Sequence, residues 1–212
     1  MNNKDKIILD LCGGTGSWSK PYTDAGYTVI NVTLPKYDIL LSAVIENRIW
    51  IGGEKILAEN VYGILCAPPC TQFSFARTNA KLPRNLDEGM RIVNKCLEII
   101  QCCQKRIIND CQKNPPLKFW VLENPKGMLE WFLGKPCYEF NPYDFGDDYK
   151  KKTQLWGHFN LPKKNPIKCN TVKFDKLASK EIHPEMYGKL NRQERRSITP
   201  QGFAKTFYEA NK

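Results

Sequence analysis

The sequence predicts an α/β protein with a mixed, mostly parallel sheet and helices on both faces. Two observations predict it. Short apolar runs of strand length (Ile7–Leu11, Tyr27–Thr33, Tyr62–Cys66, Phe119–Leu122) end in loops rich in glycine or proline. Between them lies a long stretch of helical spacing, Asp87–Gln112, with apolar residues at Met90, Val93, Leu97, Ile100, Cys103 and Ile107. In open α/β sheets ligands bind outside the carboxyl ends of the strands, so the loops after these runs are where function is sought. With 212 residues, 42% of them hydrophobic, the chain fits one domain with a real core and room for a small appendage.

The first strand, Ile7–Leu11, runs into Cys12-Gly13-Gly14-Thr15-Gly16-Ser17, then Trp18 and a helix to about Ala25. Three glycines in four positions let the backbone turn tightly and approach a ligand, and the free N–H groups of the next helix point back at the loop. The pattern is neither G-x-x-x-x-G-K-[ST] nor G-x-G-x-x-G, which excludes a P-loop and leaves the dinucleotide fingerprint unmet. Such a turn holds a nucleotide or nucleoside-like cofactor, or serves only as a tight structural turn. The second strand, Tyr27–Thr33, lacks the acid that grips ribose hydroxyls in Rossmann-like sites; Thr33 stands there, and Asp38 is the nearest substitute. From Leu40 to Asn60 the pattern predicts a helix around Ser42–Asn47, a turn at Gly52-Gly53 and a short helix after it.

The stretch Tyr62–Thr78, YGILCAPPCTQFSFART, organises the rest. Pro68 and Pro69 fix φ twice and cannot donate to a sheet, so the chain leaves the sheet there and carries the Cys70 thiol on a stiff loop. A cysteine in an intracellular protein is otherwise a small inert core filler. The Asp87–Gln112 helix stops at Asn114-Pro115-Pro116. The strand Phe119–Leu122 ends in Glu123-Asn124-Pro125, a carboxylate on a stiffened exit, or alternatively a cap for a helix near Met128–Phe132. Strands follow near Tyr138–Tyr143 and Thr153–Trp156. Residues 160–198 are polar, basic and proline-containing, and Pro200–Asn211 has a helical pattern with Phe203, Phe207 and Ala210 on one side.

Residues 1–149 hold 17 Lys or Arg against 17 Asp or Glu, and residues 150–212 hold 15 against 5, so the whole net charge of +10 lies in the last 63 residues. A neutral front and a basic back is the asymmetry expected where one side of a molecule meets polyanion. The nine cysteines are odd in number, show no C-x-x-C pair and are joined by only two histidines, His158 and His183. That predicts neither a disulfide framework nor a metal site. No run approaches the roughly 18 apolar residues of a membrane span. MNNKDK ahead of the first strand has no signal-peptide architecture, which predicts a cytoplasmic protein without a membrane partner.

The order of these pieces resembles the C5-cytosine-specific DNA methyltransferases. DLCGGTGSW (Asp10–Trp18) is similar to the family's cofactor loop and APPCTQFS (Ala67–Ser74) to its nucleophile loop. LENPKG (Leu122–Gly127) stands where the family has its Glu-Asn-Val segment. Tyr37-Asp38-Ile39 is similar to the short Asp-Ile cofactor segment, and ITPQGFA (Ile198–Ala204) more loosely to the last motif, which folds back beside the first strand. The resemblance covers most of residues 7–159 and again 196–212, in the style of a compact phage or mobile-element member. It implies a Rossmann-like class I S-adenosylmethionine-dependent methyltransferase fold, with residues 1–159 plus 196–212 as the catalytic domain and 160–195 as a small basic substrate-recognition region. It implies Cys70 as nucleophile toward cytosine C6, Glu123 as the acid at N3 and Asn124 as the holder of the loop. The S-adenosylmethionine site would draw on Asp10, Cys12, Gly13, Gly14, Thr15, Gly16, Ser17, Trp18, Thr33, Asp38, Pro68 and Thr199. The partner would be double-stranded DNA and the protein a monomer.

Three departures accompany the resemblance. Thr33 replaces the acid after strand two, so the ribose clamp is absent or the donor is a modified S-adenosylmethionine. The family's Gln-x-Arg-x-Arg segment is replaced by Lys150-Lys151-Lys152-Thr153-Gln154-Leu155-Trp156-Gly157, which leaves a Lys or Thr, with Lys152 favoured, to contact cytosine O2. The recognition region is short, which predicts phosphate contact with little reading of sequence. Two alternatives remain: the same chemistry on RNA or a free cytidine nucleotide, and a catalytically inactive nucleic-acid-binding protein of the same fold.

Overall fold

A computed structural model describes residues 2–75, 77, 82–109, 117–170, 188–190 and 192–212. Its frame is a six-stranded sheet of β1 (Ile7–Leu11), β2 (Thr28–Val32), β6 (Val61–Cys66), β7 (Phe119–Pro125), β8 (Tyr138–Phe140) and β9 (Thr153–His158), in the order β2-β1-β6-β7-β9-β8. The pairs β1/β2, β1/β6 and β6/β7 are parallel; β9 runs against both β7 and β8. The protein is therefore α/β with a mixed, mostly parallel sheet, compatible with a Rossmann-like fold. From β1 the chain goes to one side for β2 and returns to the other for β6. That reversal makes β1 and β6 a topological switch point, the place where open α/β sheets bind ligands at the carboxyl ends of their strands.

The residues that make these strands are apolar on both faces, and each face buries its own core. On one face Leu9, Leu11, Ile64, Cys66 and Leu122 pack with Val93, Cys96, Ile99, Ile100 and Cys103 of the long helix α2 (Leu86–Asn109). On the other, Ile8, Leu65, Phe119, Val121 and Leu155 meet Trp18, Tyr22 of α1 (Lys20–Asp24), and Phe203 and Phe207 of α5 (Gln201–Asn211). The second face is aromatic: Phe140 stacks on Phe203 with centroids 4.0 Å apart, and Trp18 lies 5.6 Å from Phe207.

The expected helix around Ser42–Asn47 is not formed. In its place β3 (Ala43–Ile45), β4 (Arg48–Ile51) and β5 (Glu54–Leu57) make a separate antiparallel sheet. The cause is local. Val44, Ile45, Ile49 and Ile51 are β-branched and prefer the pleated surface. The turn at Gly52-Gly53 has both residues at positive φ (58° and 86°), the conformation that joins two strands of a hairpin. The short helix expected next is a single 3-10 turn, Ala58–Asn60. The Tyr138–Tyr143 segment splits into β8 and a 3-10 turn at Pro142–Phe145, and the helix expected near Met128–Phe132 is α3 (Glu130–Leu133). Thr78 and the Asn114-Pro115-Pro116 stop lie outside the described residues.

Half of the proposed recognition region, 171–187 and 191, also lies outside the described residues. The segment 161–170 has no regular structure and is tied to the body by Asn165 N–H donating to Asp144 O (2.8 Å) and Ile167 N–H to Tyr143 O (2.9 Å). The helix α4 (Arg192–Ser197) leads into α5. Among the described residues no helix is long and apolar enough to cross a membrane.

Candidate active site

The glycine turn rests on a buried acid. Asp10, in β1, is fully buried, and Ser19 Oγ donates to its Oδ2 at 2.5 Å. A Cβ built on Gly13 would lie 2.3 Å from Asp10 Cγ, so only glycine lets the turn settle this close to the carboxyl. Burial pushes the Asp10 carboxyl up to about 6, against the opposing pull of the Ser19 hydroxyl. Its Oδ1 is buried and, among the described residues, accepts no hydrogen bond. The turn is closed by Gly16 N–H donating to Gly13 O (2.9 Å) and braced from β2 by Asn31 Nδ2 donating to Gly14 O (3.1 Å). From the far end of the chain, Thr199 N–H donates to Ser17 Oγ at 2.9 Å, so the segment before α5 lies against the first loop.

Gly14 and Thr15 are exposed on this turn, and Gly13, Gly16 and Ser17 are half-buried. Two other residues assigned to the cofactor turn inward. Trp18 is 1% exposed and packs among Phe203 and Phe207. Cys12, held at a positive φ of 59°, packs against the α2 face, where its free thiol shares a hydrogen bond with that of Cys96; that hydrogen bond and burial push it far above the ordinary thiol range. At the end of β2, Thr33 O accepts from Tyr37 N–H (2.9 Å), and Asp38 Oδ1 accepts from Leu40 N–H (2.9 Å), capping a 3-10 turn. Asp38 nevertheless lies within electrostatic reach of Cys12.

The second loop is fixed by distant partners. Ala67 N–H donates to Leu11 O (2.9 Å), joining it to the first. Asn124 Nδ2 donates to Pro68 O at 2.9 Å across 56 residues, with both Asn124 and Pro68 buried. Cys70 begins a 3-10 turn, and Phe73 and Ser74 N–H both donate to its carbonyl (3.0 and 2.8 Å). Phe73 then drops into the α2 core. Met128 N–H donates to Phe73 O (2.9 Å), and a Cβ on Gly127 would lie 2.5 Å from that same oxygen. Arg84 donates from Nη1 to Gln72 O and from Nη2 to Ser74 O, each at 2.9 Å.

The strands β6 and β7 are parallel, with Cys66 opposite Leu122; Glu123 is the next residue of β7, and Cys70, four residues past the end of β6, lies within its electrostatic reach. Both are half-buried. Burial pushes the Cys70 thiol up; Lys151 pulls it down, Glu123 pushes it up and Arg196 pulls it down. Burial likewise pushes the Glu123 carboxyl up, against Lys151. Tyr149, buried, also feels Glu123. Cys70, Glu123, Lys151 and Arg196 thus share one electrostatic environment. Lys151 is carried in by β9, whose ladder with β7 continues through Lys126 N–H donating to Lys152 O (2.9 Å), and its Nζ donates to Arg196 O at 3.1 Å.

Lys152 is engaged elsewhere. It pairs with Glu139 at 2.8 Å and holds that carboxyl below its usual range. The cation facing Cys70 and Glu123 from this segment is its neighbour Lys151. Sequence reasoning missed Lys151 and Arg196. The run Lys150-Lys151-Lys152 pointed to the segment without telling which lysine turns inward, and nothing in Arg195-Arg196 marks one arginine over the other.

Chemically, the site offers a thiol, a carboxyl held toward its neutral form by burial, and two cations, near a turn whose Gly14 and Thr15 are exposed. Among the described residues no group of three His, Cys, Asp or Glu is placed to hold a metal ion. No protein-family model and no curated protein sequence matches this chain.

Proposed function

We propose that this protein is an S-adenosylmethionine-dependent methyltransferase of class I fold that methylates cytosine C5 in DNA. The observation that carries the reading is the convergence of Cys70 and Glu123 at the ends of two paired strands, each within the field of Lys151.

The donor fits the residues of the first loop. Gly13, Gly14, Thr15, Gly16 and Ser17 form its rim, and the orphaned Oδ1 of Asp10 beneath it suits a cationic ammonium group. Asp38, Thr33, Pro68 and Thr199 would complete the donor site. S-adenosylmethionine supplies an electrophilic methyl group there. Asp10 acts from beneath the turn, while Cys12 and Trp18 support the loop from the core.

Cytosine C5 is a weak nucleophile, and covalent addition by a thiolate remedies that. Cys70 Sγ bonds to C6, the C5–C6 π pair moves through C4 toward N3, and Glu123 gives its proton to N3. C5 is then electron-rich and takes the methyl group. As N3 re-forms its double bond to C4 it returns its proton to Glu123, and loss of the C5 proton to water then forms the C5–C6 double bond and expels Cys70 as thiolate. Burial suits Glu123 to this role, because a carboxyl raised from its ordinary value keeps a proton to give. Protonated Glu123 also ceases to oppose the Cys70 thiolate, so both groups reach their reactive states together. Asn124, bonded to Pro68 O, sets the distance between them. A base in duplex DNA must leave the stack to reach the pocket, and the basic last 63 residues suit phosphate contact.

The test is digestion and mass spectrometry of duplex DNA, transfer RNA and dCMP after incubation with the protein and S-adenosylmethionine. Cytosine heavier by one methyl group in the DNA arm, lost in Cys70→Ala, is the expected result. A methyl group in the RNA or nucleotide arm alone would move the substrate, a larger added mass would move the donor, and unmodified cytosine in all arms would overturn the reading.

A further inference from the structure

We propose that the exposed ring pair Phe75 and Trp131, set beside the turn that carries Cys70, is a stacking surface for an unpaired base, and that the preferred partner of this protein is single-stranded DNA. The proposal deepens the reading of the same site given above and rests on it for the kind of nucleic acid.

Two short segments bring the rings together. Ser74 N–H donates back to Cys70 O (2.8 Å), so Phe75 leaves from the same turn as the thiol. Ser74 also bridges to Gly127, and Met128 N–H holds Phe73 O (2.9 Å), which fastens this turn to the segment leading into α3. On α3 the two rings divide. Phe132 lies edge-on to the buried Phe73, with centroids 6.1 Å apart, while Trp131 stands outside and is 69% exposed. Phe75 is 50% exposed, and its centroid lies 6.2 Å from that of Trp131 with the planes 58° apart. A lone exposed ring needs no explanation, but two large rings in contact on the surface form a patch of the kind that marks a binding site.

The surroundings select the partner. Arg84 Nη2 donates to Ser74 O (2.9 Å) and Arg77 N–H donates to the same carbonyl (3.3 Å), so both arginines belong to the segment that carries Phe75. Among the described residues both guanidiniums bond only to neutral oxygens, of Gln72, Ser74, Leu82 and Pro83, and keep their full charge. Lys126 is exposed one residue before Gly127. The acid next to Trp131 is engaged toward β9: Glu130 Oε2 accepts from the buried Gln154 Nε2 at 2.7 Å. Rings beside uncompensated cations fit bases joined by phosphates. In a duplex each base face is covered by its neighbours, so a ring pair finds a free face only on an unpaired strand. The target cytosine must itself leave its stack, and a strand already single has no pairing to lose. A duplex reaches the same site after opening, and binds less tightly.

The experiment is fluorescence anisotropy with a labelled DNA oligonucleotide about 12 nucleotides long, offered as a single strand, as its duplex, and as a strand whose central residues lack their bases. The single strand is expected to bind about tenfold more tightly than the duplex at the same salt concentration. Trp131→Ala and Phe75→Ala should each weaken single-strand binding about tenfold, with the slope of affinity against salt unchanged, because stacking releases no counterions. Trp131→Phe keeps most of the affinity, and the base-free strand binds native protein and variants alike. Both rings are at least half exposed, so the urea midpoints stay in place; Phe75→Leu replaces the alanine variant if that one does not fold. A duplex bound as tightly as the single strand makes the rings a wedge between stacked pairs and overturns the proposal. So does an equal loss on the base-free strand, or undiminished binding in Trp131→Ala, which gives the rings to another partner. The two readings separate cleanly: a protein that transfers no methyl group but loses base-dependent binding at Trp131 keeps the stacking surface and rejects the methyltransferase, and an active enzyme whose binding ignores Trp131 does the reverse.

Discussion

The two loops at the centre of the molecule are stabilised in opposite ways. The glycine turn is held mostly from nearby: Asp10, Ser19 and Asn31 all belong to the strands and turn around it, and its tightest approach is to a side chain, the Asp10 carboxyl. The Cys70 loop is held from afar: Asn124, Arg84 and Met128 reach it from other elements, and its tightest approach is backbone to backbone at Gly127. A locally held loop can form as soon as its own strand does. A remotely held one is in place only when β7 and the start of α2 are, which ties the thiol's position to completion of the fold.

The difference can be broken most forcefully at Gly127. Gly127→Ala sets a methyl group against Phe73 O, an atom no substitution can trim, and is expected to cost about 3 kcal/mol in urea unfolding together with methyl transfer. Next is the acid under the first turn. The folded-state pKa of Asp10 lies above its ordinary value, so the folded chain holds that proton more tightly than the unfolded one. The stability it contributes is full below about pH 4 and is lost as pH rises to about 6. Asp10→Asn should flatten this part of the pH profile and gain about 2–3 kcal/mol above pH 6, while weakening S-adenosylmethionine binding in calorimetry. Smaller again is the coupling at Gly13. Gly13→Ala should be less damaging in an Asp10→Ala background, by about 1–2 kcal/mol, whereas no truncation of the Phe73 side chain should rescue Gly127→Ala. Least is Arg84→Ala, which removes two bonds to loop carbonyls and is expected to cost about 1 kcal/mol, read as faster proteolysis between Cys70 and Asn85.

Much of the fold was legible in the sequence because β1, β6 and the first four residues of β7 are largely buried and read as mainly apolar runs. The α2 helix announced itself by spacing. The β3–β5 sheet did not. Its strands are three or four residues long, too short for alternation to stand out from helical spacing, and one of its turns carries Glu46 at a positive φ of 54°, a choice no residue preference signals. Within the candidate site, Cys70 and Glu123 stood out because each is a reactive residue type near the carboxyl end of a strand, Glu123 late in β7 and Cys70 four residues past β6. The inward turn of Cys12 and Trp18 was not visible, since a motif gives the order of residues and not the direction of each side chain. Lys151 and Arg196 come within electrostatic reach of Cys70 only through the folded chain.

One pairing has a consequence for how this chain can change. Glu123 and Asn124 are adjacent on a pleated strand, so their side chains leave on opposite sides: one toward the thiol, the other to the carbonyl of Pro68. Removing a single residue within Phe119–Leu122 would bring Asn124 to the place of Glu123, aiming an amide toward Cys70, and adding one would bring Glu123 to the place of Asn124, burying a carboxylate against a carbonyl. The number of residues before Glu123 is thus under as strict a demand as their kind, and drift here is confined to replacements that keep the count.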